Sequence, residues 1–503
     1  MIALSLRRIA EIVGGTLHDV PDPDAVVTGT VEFDSRKVTA GGLFLALPGA
    51  RADGHDHAAA AIDAGAAAVL AARPVGVPAI VVEPLGPSGS NAMALEHDTD
   101  GSGAAVLGAL GALAGAVTAE LPDLTVVGVT GSSGKTSTKD LLAAVLAPLG
   151  SVVAPPGSFN NELGHPWTAL RVDADTRFLV LELSARGVGH IAHLAATVPP
   201  RIGVVLNVGT AHLGEFGSQQ AIAVAKGELV EALPAAADGG VAVLNADDPL
   251  VAAMATRTRA RVVTVGQSAS ADVRAVDIRL DDQARAEFTL IAPQGSVRIA
   301  LGVHGEHQVG NALAAAAVAL ECGAGIEQVA AALGAARAVS AKRMDVRTRA
   351  DGVTIVNDSY NANPDSMRAA LKALASMSRA GAERRRTWAV LGEMAELGAD
   401  TVVEHDAIGR FLVRLDVTKL IVVGDGRPSH GLHQGAVMEG SWGDESTLVP
   451  DADAAIEILR REVRPGDIVL VKASQSVGLW TVAEALLADP AVDVHETSEE
   501  HDR

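Results

Sequence analysis

The chain has 503 residues, 48% of them hydrophobic and only 2% aromatic, so a large core has to be built from Ala, Val, Leu and Ile. Lys and Arg number 40 against 61 Asp and Glu, and the net charge of -21 argues against a nucleic-acid partner while leaving room for a local cationic site. The single cysteine, Cys322, excludes an intrachain disulfide framework and points to the reducing cytoplasm; its Ala-rich helical surroundings read it as a small core residue.

Residues 1–121 read as a first, small α/β domain. The first twenty residues carry Arg7, Arg8, Glu11 and Asp19 without the long apolar region of a secretory signal. Strands are predicted at 42–47, 67–71 and 79–82, with an Ala-rich helix over 57–64. The polar, Gly/Ser-rich stretch 84–103 reads as a flexible loop. Residues 103–119 are uncharged, but they are mostly Gly and Ala and too few for a comfortable span, so a buried helix is expected and no stable membrane insertion.

From 122 to 338 strands and helices alternate, with strands predicted at 125–129, 178–183, 202–207, 241–245 and 261–265. That is the pattern of a doubly wound, mostly parallel sheet, whose ligands lie beyond the carboxyl ends of the strands. Residues 272–303 look like an inserted antiparallel piece. The first strand runs into Gly131-Ser132-Ser133-Gly134-Lys135-Thr136-Ser137, with a helical pattern from about Thr138. Backbone N–H groups and a helix N-terminus would cradle a polyphosphate there, Lys135 would reach its outer phosphates and Thr136 would ligate magnesium. The general P-loop string would need glycine where Val129 stands, so the loop is a shortened form.

Further strand ends carry chemistry. Glu182 closes the strand at 178–183 and is placed for magnesium. The strand at 202–207 leads into a loop with His212, a candidate second metal ligand, followed by Lys226 in a helical pattern. Asn160 and Asn161 lie between turn formers and suggest a recognition loop. From 339 to 503 the alternation restarts, with strands predicted at 353–357, 387–391, 419–423 and 467–471, a Rossmann-like α/β domain with an acidic, disordered tail after Asp489. Its most distinctive string is Asn357-Asp358-Ser359-Tyr360-Asn361-Ala362-Asn363-Pro364, which holds the only tyrosine of the chain.

Together these strings resemble the Mur ligases of peptidoglycan synthesis, ATP-dependent amide-forming enzymes. The matching stretches are 130–137, Asn160-Asn161, Glu182, 207–218, Lys226, 305–311, Arg343 and 357–363, in the family's order along most of the chain. The N-terminal Asp34-Ser35-Arg36-Lys37, residues 42–47 and Asp53-Gly54-His55 resemble the family's UDP-binding domain. Within the family, residues 212–218, 357–364 and 392–398 look like the member that adds D-alanyl-D-alanine to UDP-N-acetylmuramoyl-tripeptide. The Asp-Asn-Pro-Arg string of the tripeptide-forming member is absent. Another Mur ligase and a folylpolyglutamate synthase-like ligase remain the alternatives, with a nucleotide-binding switch protein as a reading from a different class.

The resemblance implies an acyl phosphate formed from ATP and the tripeptide, then attacked by the dipeptide amine. It implies two Mg2+ ions, with Thr136 and Glu182 on the nucleotide metal, His212 on the second, and Lys226 as a carbamylated ligand. Lys135, Glu182, His212 and Lys226 are the implied catalytic residues. Residues 131–137, Asn311, Arg343 and Asp358 are implied in ATP binding. Ser35, Arg36, Asn160, Asn161, Tyr360, Asn361 and Asn363 are implied in substrate binding. A monomer that closes its C-terminal domain over both ligands is expected. Two departures stand out: Gln308 replaces a more usual asparagine, and Gln475 a more usual arginine near the incoming carboxylate.

Overall fold

A computed structural model describes residues 1–49, 52–86, 95, 97–209, 213–380, 383–440 and 445–489. His212, residues 87–94 and 96 of the loop predicted at 84–103, and the acidic tail beyond Asp489 lie outside the described residues.

The N-terminal strands are β1 (Leu4–Ser5), β2 (Thr16–His18), β3 (Val26–Val27), β4 (Val31–Glu32), β5 (Gly42–Leu45), β6 (Ala66–Ala71) and β7 (Ala79–Val81). β1 pairs with β3, and the other five form a sheet in the order β2-β7-β6-β5-β4, parallel except at β2. α1 (Leu6–Val13) and α2 (Ala58–Asp63) flank it. Ser5 caps α1 by accepting from the Arg8 N–H, and Gly14 ends it with φ +65°, a conformation glycine adopts without strain.

α3 (Ser102–Ala119) is long and apolar enough to cross a membrane by length and composition, yet half of it is buried inside the fold. Its glycines explain how it docks. A Cβ on Gly115 would lie 2.8 Å from the carbonyl oxygen of Thr197, so only hydrogen lets the two backbones approach. Ile9, Leu70, Leu110, Leu113, Leu181 and Leu229 belong to one continuous core, so the N-terminal sheet and one face of the next sheet share their apolar interior through α3.

That second sheet contains β8 (Thr125–Thr130), β9 (Ser151–Val153), β10 (Thr176–Glu182), β11 (Ile202–Val205), β12 (Val241–Asn245), β13 (Arg261–Gly266), β14 (Val273–Leu280), β15 (Arg285–Ala292) and β16 (Gly295–His304). The order is β16-β15-β14-β13-β12-β11-β8-β10-β9. β9 to β14 join β8 in parallel register, and β15 and β16 are antiparallel. The expected insert is therefore an extension of the main sheet: Val265 pairs with Val273, and the hairpin continues without a break. β8 is buried throughout because helices cover both faces, which is why its sequence runs apolar instead of alternating. The helices are α4 (Lys135–Leu146), α5 (Gly164–Ala169), α6 (His190–Thr197), α7 (Leu213–Phe216), α8 (Gln219–Glu231), α9 (Pro249–Ala252), α10 (Gln308–Glu321) and α11 (Ile326–Ala335). The fully buried alanine run of α10 lets it lie close against α4.

The last sheet has β17 (Asp345–Thr348), β18 (Thr354–Asn357), β19 (Thr387–Leu391), β20 (Lys419–Val423), β21 (Ser446–Val449) and β22 (Ile468–Lys472), in the order β17-β18-β22-β19-β20-β21. Only β17 is antiparallel. α12 (Pro364–Arg379), α13 (Thr401–Arg414), α14 (Arg427–Glu439), α15 (Ala452–Glu462) and α16 (Trp480–Ala488) cover its faces over two separate cores. Ala284, at the tip of the β14–β15 hairpin, is the central residue that reaches into one of them.

Cys322 follows α10 and is half-buried against the core, and burial pushes its thiol up to about 11. The neutral thiol is thus favoured in the fold, and thiolate appears only as pH rises. Alkylation by iodoacetamide at pH 8, followed by mass spectrometry, is expected to run roughly 100-fold slower than for free cysteine and to quicken about tenfold per pH unit. Rapid labelling at pH 8 would contradict this. Gly115→Val is expected to cost about 1–3 kcal/mol through overpacking on Thr197, read as a lower urea midpoint; an unchanged midpoint would mean that α3 can shift freely.

Candidate active site

β8 ends at Thr130 and the chain turns through Gly131 to Gly134. A Cβ on Gly131 would lie 2.9 Å from the Leu206 Cβ, and one on Gly134 would lie 2.6 Å from Asn311 Oδ1. Gly134 takes φ +83°, and this left-handed residue starts α4 at Lys135 instead of near Thr138. Lys135 and Thr136 therefore occupy the first turn, where free N–H groups and the helix dipole favour anions. Asn207 fastens the loop: its Oδ1 accepts from the Ser133 N–H at 3.0 Å and its Nδ2 donates to Ser133 O at 3.2 Å. Ser132 Oγ accepts from the Gly209 N–H at 2.9 Å. Lys135 curls back to donate to Gly131 O at 2.6 Å, and desolvation pulls its ammonium down to about 8.

Glu182, at the carboxyl end of the adjacent β10, is fully buried. Its Oε2 accepts from Thr136 Oγ1 and from Ser158 Oγ, each at 3.2 Å, whereas Oε1 is buried without a hydrogen-bond partner among the described residues. Burial raises its pKa, against the opposing pull of Lys135, Lys139 and Arg343. An orphaned carboxylate oxygen beside a threonine hydroxyl is a donor set suited to a hard divalent cation. Lys226 is buried on α8. Desolvation, then repulsion from Lys135, holds its amine well below the ordinary lysine value. The same helix is pinned to α6 by Glu228, which accepts from the Gly189 and Ala192 N–H groups.

A cleft of about 640 Å³ opens between this sheet and the C-terminal one. Residues 132–137, Asn160 and Asn161 line one side, Tyr360, Asn361 and Asn363 the other, with Arg343 between them. Arg343 Nη2 donates to Thr136 Oγ1 at 3.4 Å, and its guanidinium stacks 4.2 Å from the centre of the Tyr360 ring. Ser158, Arg186, Gln475 and Ser476 also line the cleft. Of these, sequence reasoning missed Ser158, Arg186 and Ser476. Arg186 carries no motif signal of its own, but it follows the strand end of Glu182 closely and pairs with Glu396 across the cleft at 3.2 Å.

Other expected site residues have different surroundings. Asn363 lines the cleft, but its side chain caps α12, accepting from the Ser366 N–H at 2.9 Å in a reciprocal capping box. Asp358 does not line the cleft: it is buried, its Oδ2 receives Lys472 Nζ at 2.6 Å and its Oδ1 the Met344 N–H at 3.1 Å. Asn311 lies behind Gly134 and is held by Gln308 Oε1 at 2.9 Å, so the amide at 308 works inside the fold. Ser35 and Arg36 form a 3-10 turn away from the cleft lining, where the exposed Arg36 grips Asp34 through two bonds of 2.8 Å. The aromatic group Phe33, Phe159 and Trp167, with Trp167 Nε1 donating to Val31 O at 2.8 Å, joins that turn to the Asn160–Asn161 loop.

Comparison with known proteins gives the same architecture along the whole chain. The family models described as Mur ligase family, catalytic domain, as Mur ligase middle domain and as Mur ligase, glutamate ligase domain match residues 29–99, 129–319 and 342–475. The chain is 62% identical to the UDP-N-acetylmuramoyl-tripeptide--D-alanyl-D-alanine ligase of Mycobacterium tuberculosis over 97% of its own length and 98% of that protein. It is 34% identical to the Escherichia coli ligase of the same name, over 97% and 99%. Among solved structures, a crystal structure of MurF from Acinetobacter baumannii superposes with a TM-score of 0.81 at 28% identity, covering 97% of this chain and 99% of that one. MurF ligase from Thermotoga maritima, in complex with ADP, superposes with a TM-score of 0.73 at 28% identity, over 92% and 97%. With its phosphate loop, strand-end carboxylate and C-terminal Tyr360 loop assembled around one cleft, the chain belongs to the Mur ligase family.

Proposed function

We infer that this protein is the ATP-dependent ligase that joins D-alanyl-D-alanine to UDP-N-acetylmuramoyl-tripeptide, a step of peptidoglycan precursor synthesis. The observation that carries the reading is the cleft, which sets a phosphate loop on one wall against Tyr360 and Asn361 on the other, in a chain similar from end to end to ligases of that name. The reading divides the chain into a UDP-substrate domain (1–121), an ATP-binding ligase domain (122–338) and a C-terminal domain (339–503), acting as a monomer in the cytoplasm.

In this reading the ATP phosphates lie over the N–H groups of residues 134–136 at the start of α4, with Lys135 neutralising their charge and Arg343 meeting the charge that develops on the γ-phosphate during transfer. The tripeptide carboxylate attacks the γ-phosphorus, a carboxylate O–P bond forms, the bond to the β-γ bridging oxygen breaks and ADP departs. The dipeptide amine then attacks the acyl carbon. The tetrahedral intermediate collapses with loss of phosphate, and the amine nitrogen gives up a proton. Thr136 and the free oxygen of Glu182 would hold one Mg2+, with His212 and Lys226 serving a second. Magnesium supplies charge stabilisation for the crowded phosphate oxygens.

Lys226 suits carbamylation because burial favours its neutral amine over the ammonium, and only a neutral amine adds to carbon dioxide. The carbamate that results, with loss of a proton, is an anionic oxygen donor where a cation would repel the metal. Asn160, Asn161, Tyr360, Asn361 and Asn363 border the space for the peptide, Asn363 through its helix cap. Ser35 and Arg36 offer donors for the uridine diphosphate. Asn311 and Asp358 support the nucleotide side indirectly, through Gly134 and Met344.

Phosphate release from ATP is expected only when UDP-N-acetylmuramoyl-tripeptide and D-alanyl-D-alanine are both present, measured with the diaminopimelate and lysine tripeptides in parallel. Equal release without the dipeptide would favour a nucleotide switch. Lys226→Ala is expected to lower kcat at least about 100-fold while the variant melts like the parent, since it deletes one anchor of transition-state charge. Full activity of that variant would remove Lys226 from the mechanism.

A further inference from the structure

The chain crosses from α11 to β17 through residues 336–344, and Arg343 sits near the end of this linker. Its first half is tied to the phosphate-loop helix. The Ser340 N–H donates to Asp140 Oδ2 at 3.0 Å and Ser340 Oγ donates to Asp140 Oδ1 at 3.1 Å. Lys139 Nζ donates to Ser340 Oγ at 3.1 Å and to Pro155 O at 2.9 Å, and it also pairs with Asp140. Lys139 and Ser340 are buried, so the network is screened from water and fully partnered.

The second half is tied to the C-terminal domain. Lys342 O accepts from the Tyr360 N–H at 3.1 Å, the Met344 N–H bonds Asp358, and Arg343 stacks on Tyr360. Lys342 and Met344 take φ of +61° and +48°, left-handed values that side-chain-bearing residues rarely adopt. Such conformations persist where the surroundings over-determine them, and here two sets of bonds do so. Arg343 lies three residues beyond Ser340, within a reach of roughly 10 Å. The same helix holds Asp140 and, one turn earlier, Thr136, the hydroxyl that Arg343 meets.

We propose that Asp140 is a positioning residue of the ligase reaction: by fastening Ser340 to the phosphate-loop helix, it sets where Arg343 meets Thr136 and the transferring phosphate. The proposal rests on the ligase reading above. Ground-state ATP binding is left to the loop amides and Lys135, so the anchor acts on turnover.

A mutant cycle tests it. Asp140→Asn and Ser340→Ala are made in the parent and in the Arg343→Ala background, with kcat and the KM for ATP measured at saturating co-substrates. In the parent each is expected to lower kcat about 10-fold or more with the KM for ATP within about threefold, and in the Arg343→Ala background each is expected to change kcat by less than about twofold. Losses that multiply in the double variants would show that Asp140 acts on the fold and not through Arg343, and would overturn the proposal. Ser340→Ala carries the test if Asp140→Asn fails to melt cooperatively. A parent without turnover would contradict the ligase reading and not the anchor. Dissociation constants of ADP with aluminium fluoride, a stand-in for the transferring phosphate, then decide by the same criterion: a loss absent in the Arg343→Ala background supports the anchor, and an independent loss, or none, overturns it.

Discussion

A carboxylate held out of water organises this molecule. Glu182 is fully buried at the end of β10, with one oxygen shared by the Thr136 and Ser158 hydroxyls and the other without a hydrogen-bond partner among the described residues. Burying such a group is costly unless charge arrives to meet it. Lys135, Lys139 and Arg343 all bear on it, and each has a different job. Lys135 opens the phosphate-loop helix, Lys139 holds the linker, and Arg343 comes from the far side of the cleft. The site thus gathers three cationic side chains around one buried carboxylate.

The cores divide the same molecule mechanically. The N-terminal sheet and the central sheet share one apolar interior through α3, whereas the C-terminal sheet has two cores of its own. Contacts across the cleft are of another kind: the Arg186–Glu396 pair, the Arg343–Thr136 hydrogen bond, close backbone approach of Gly214 and Gly398, and the hairpin tip at Ala284. Exposed ion pairs and small contacts contribute little individually and re-form easily, while a shared core does not come apart without unfolding. The C-terminal domain is thus held to the N-terminal and central body by contacts of a weaker kind than the shared core that joins those two.

Much of this was legible before any coordinates. The central parallel strands read as mostly apolar runs because helices cover both faces, and β8, β10 and β12 each carry a polar residue at the carboxyl end, where ligands of such sheets lie. The short strands β1, β3 and β9 were not legible: two or three residues carry no measurable alternation, and pairing alone makes them strands. Nor was the continuity of β14 with the main sheet, since an antiparallel hairpin looks the same whether inserted or appended. The helix start also moved, from Thr138 to Lys135, because the left-handed turn at Gly134 feeds directly into the first turn.

By itself the sequence determined the family, the positions of the sheets' main strands along the chain and the residue types that meet phosphate, since motif spacing and periodicity are local properties. Which partner each side chain takes was decided only by tertiary structure. Asp358 and Asn363 look alike in sequence as polar residues of one loop, yet one is neutralised by Lys472 and the other caps a helix. Asp140 and Ser340 are 200 positions apart, and nothing in either neighbourhood announces their bond. Hydrogen bonds and ion pairs act over a few ångströms, and folding alone decides which distant residues come that close.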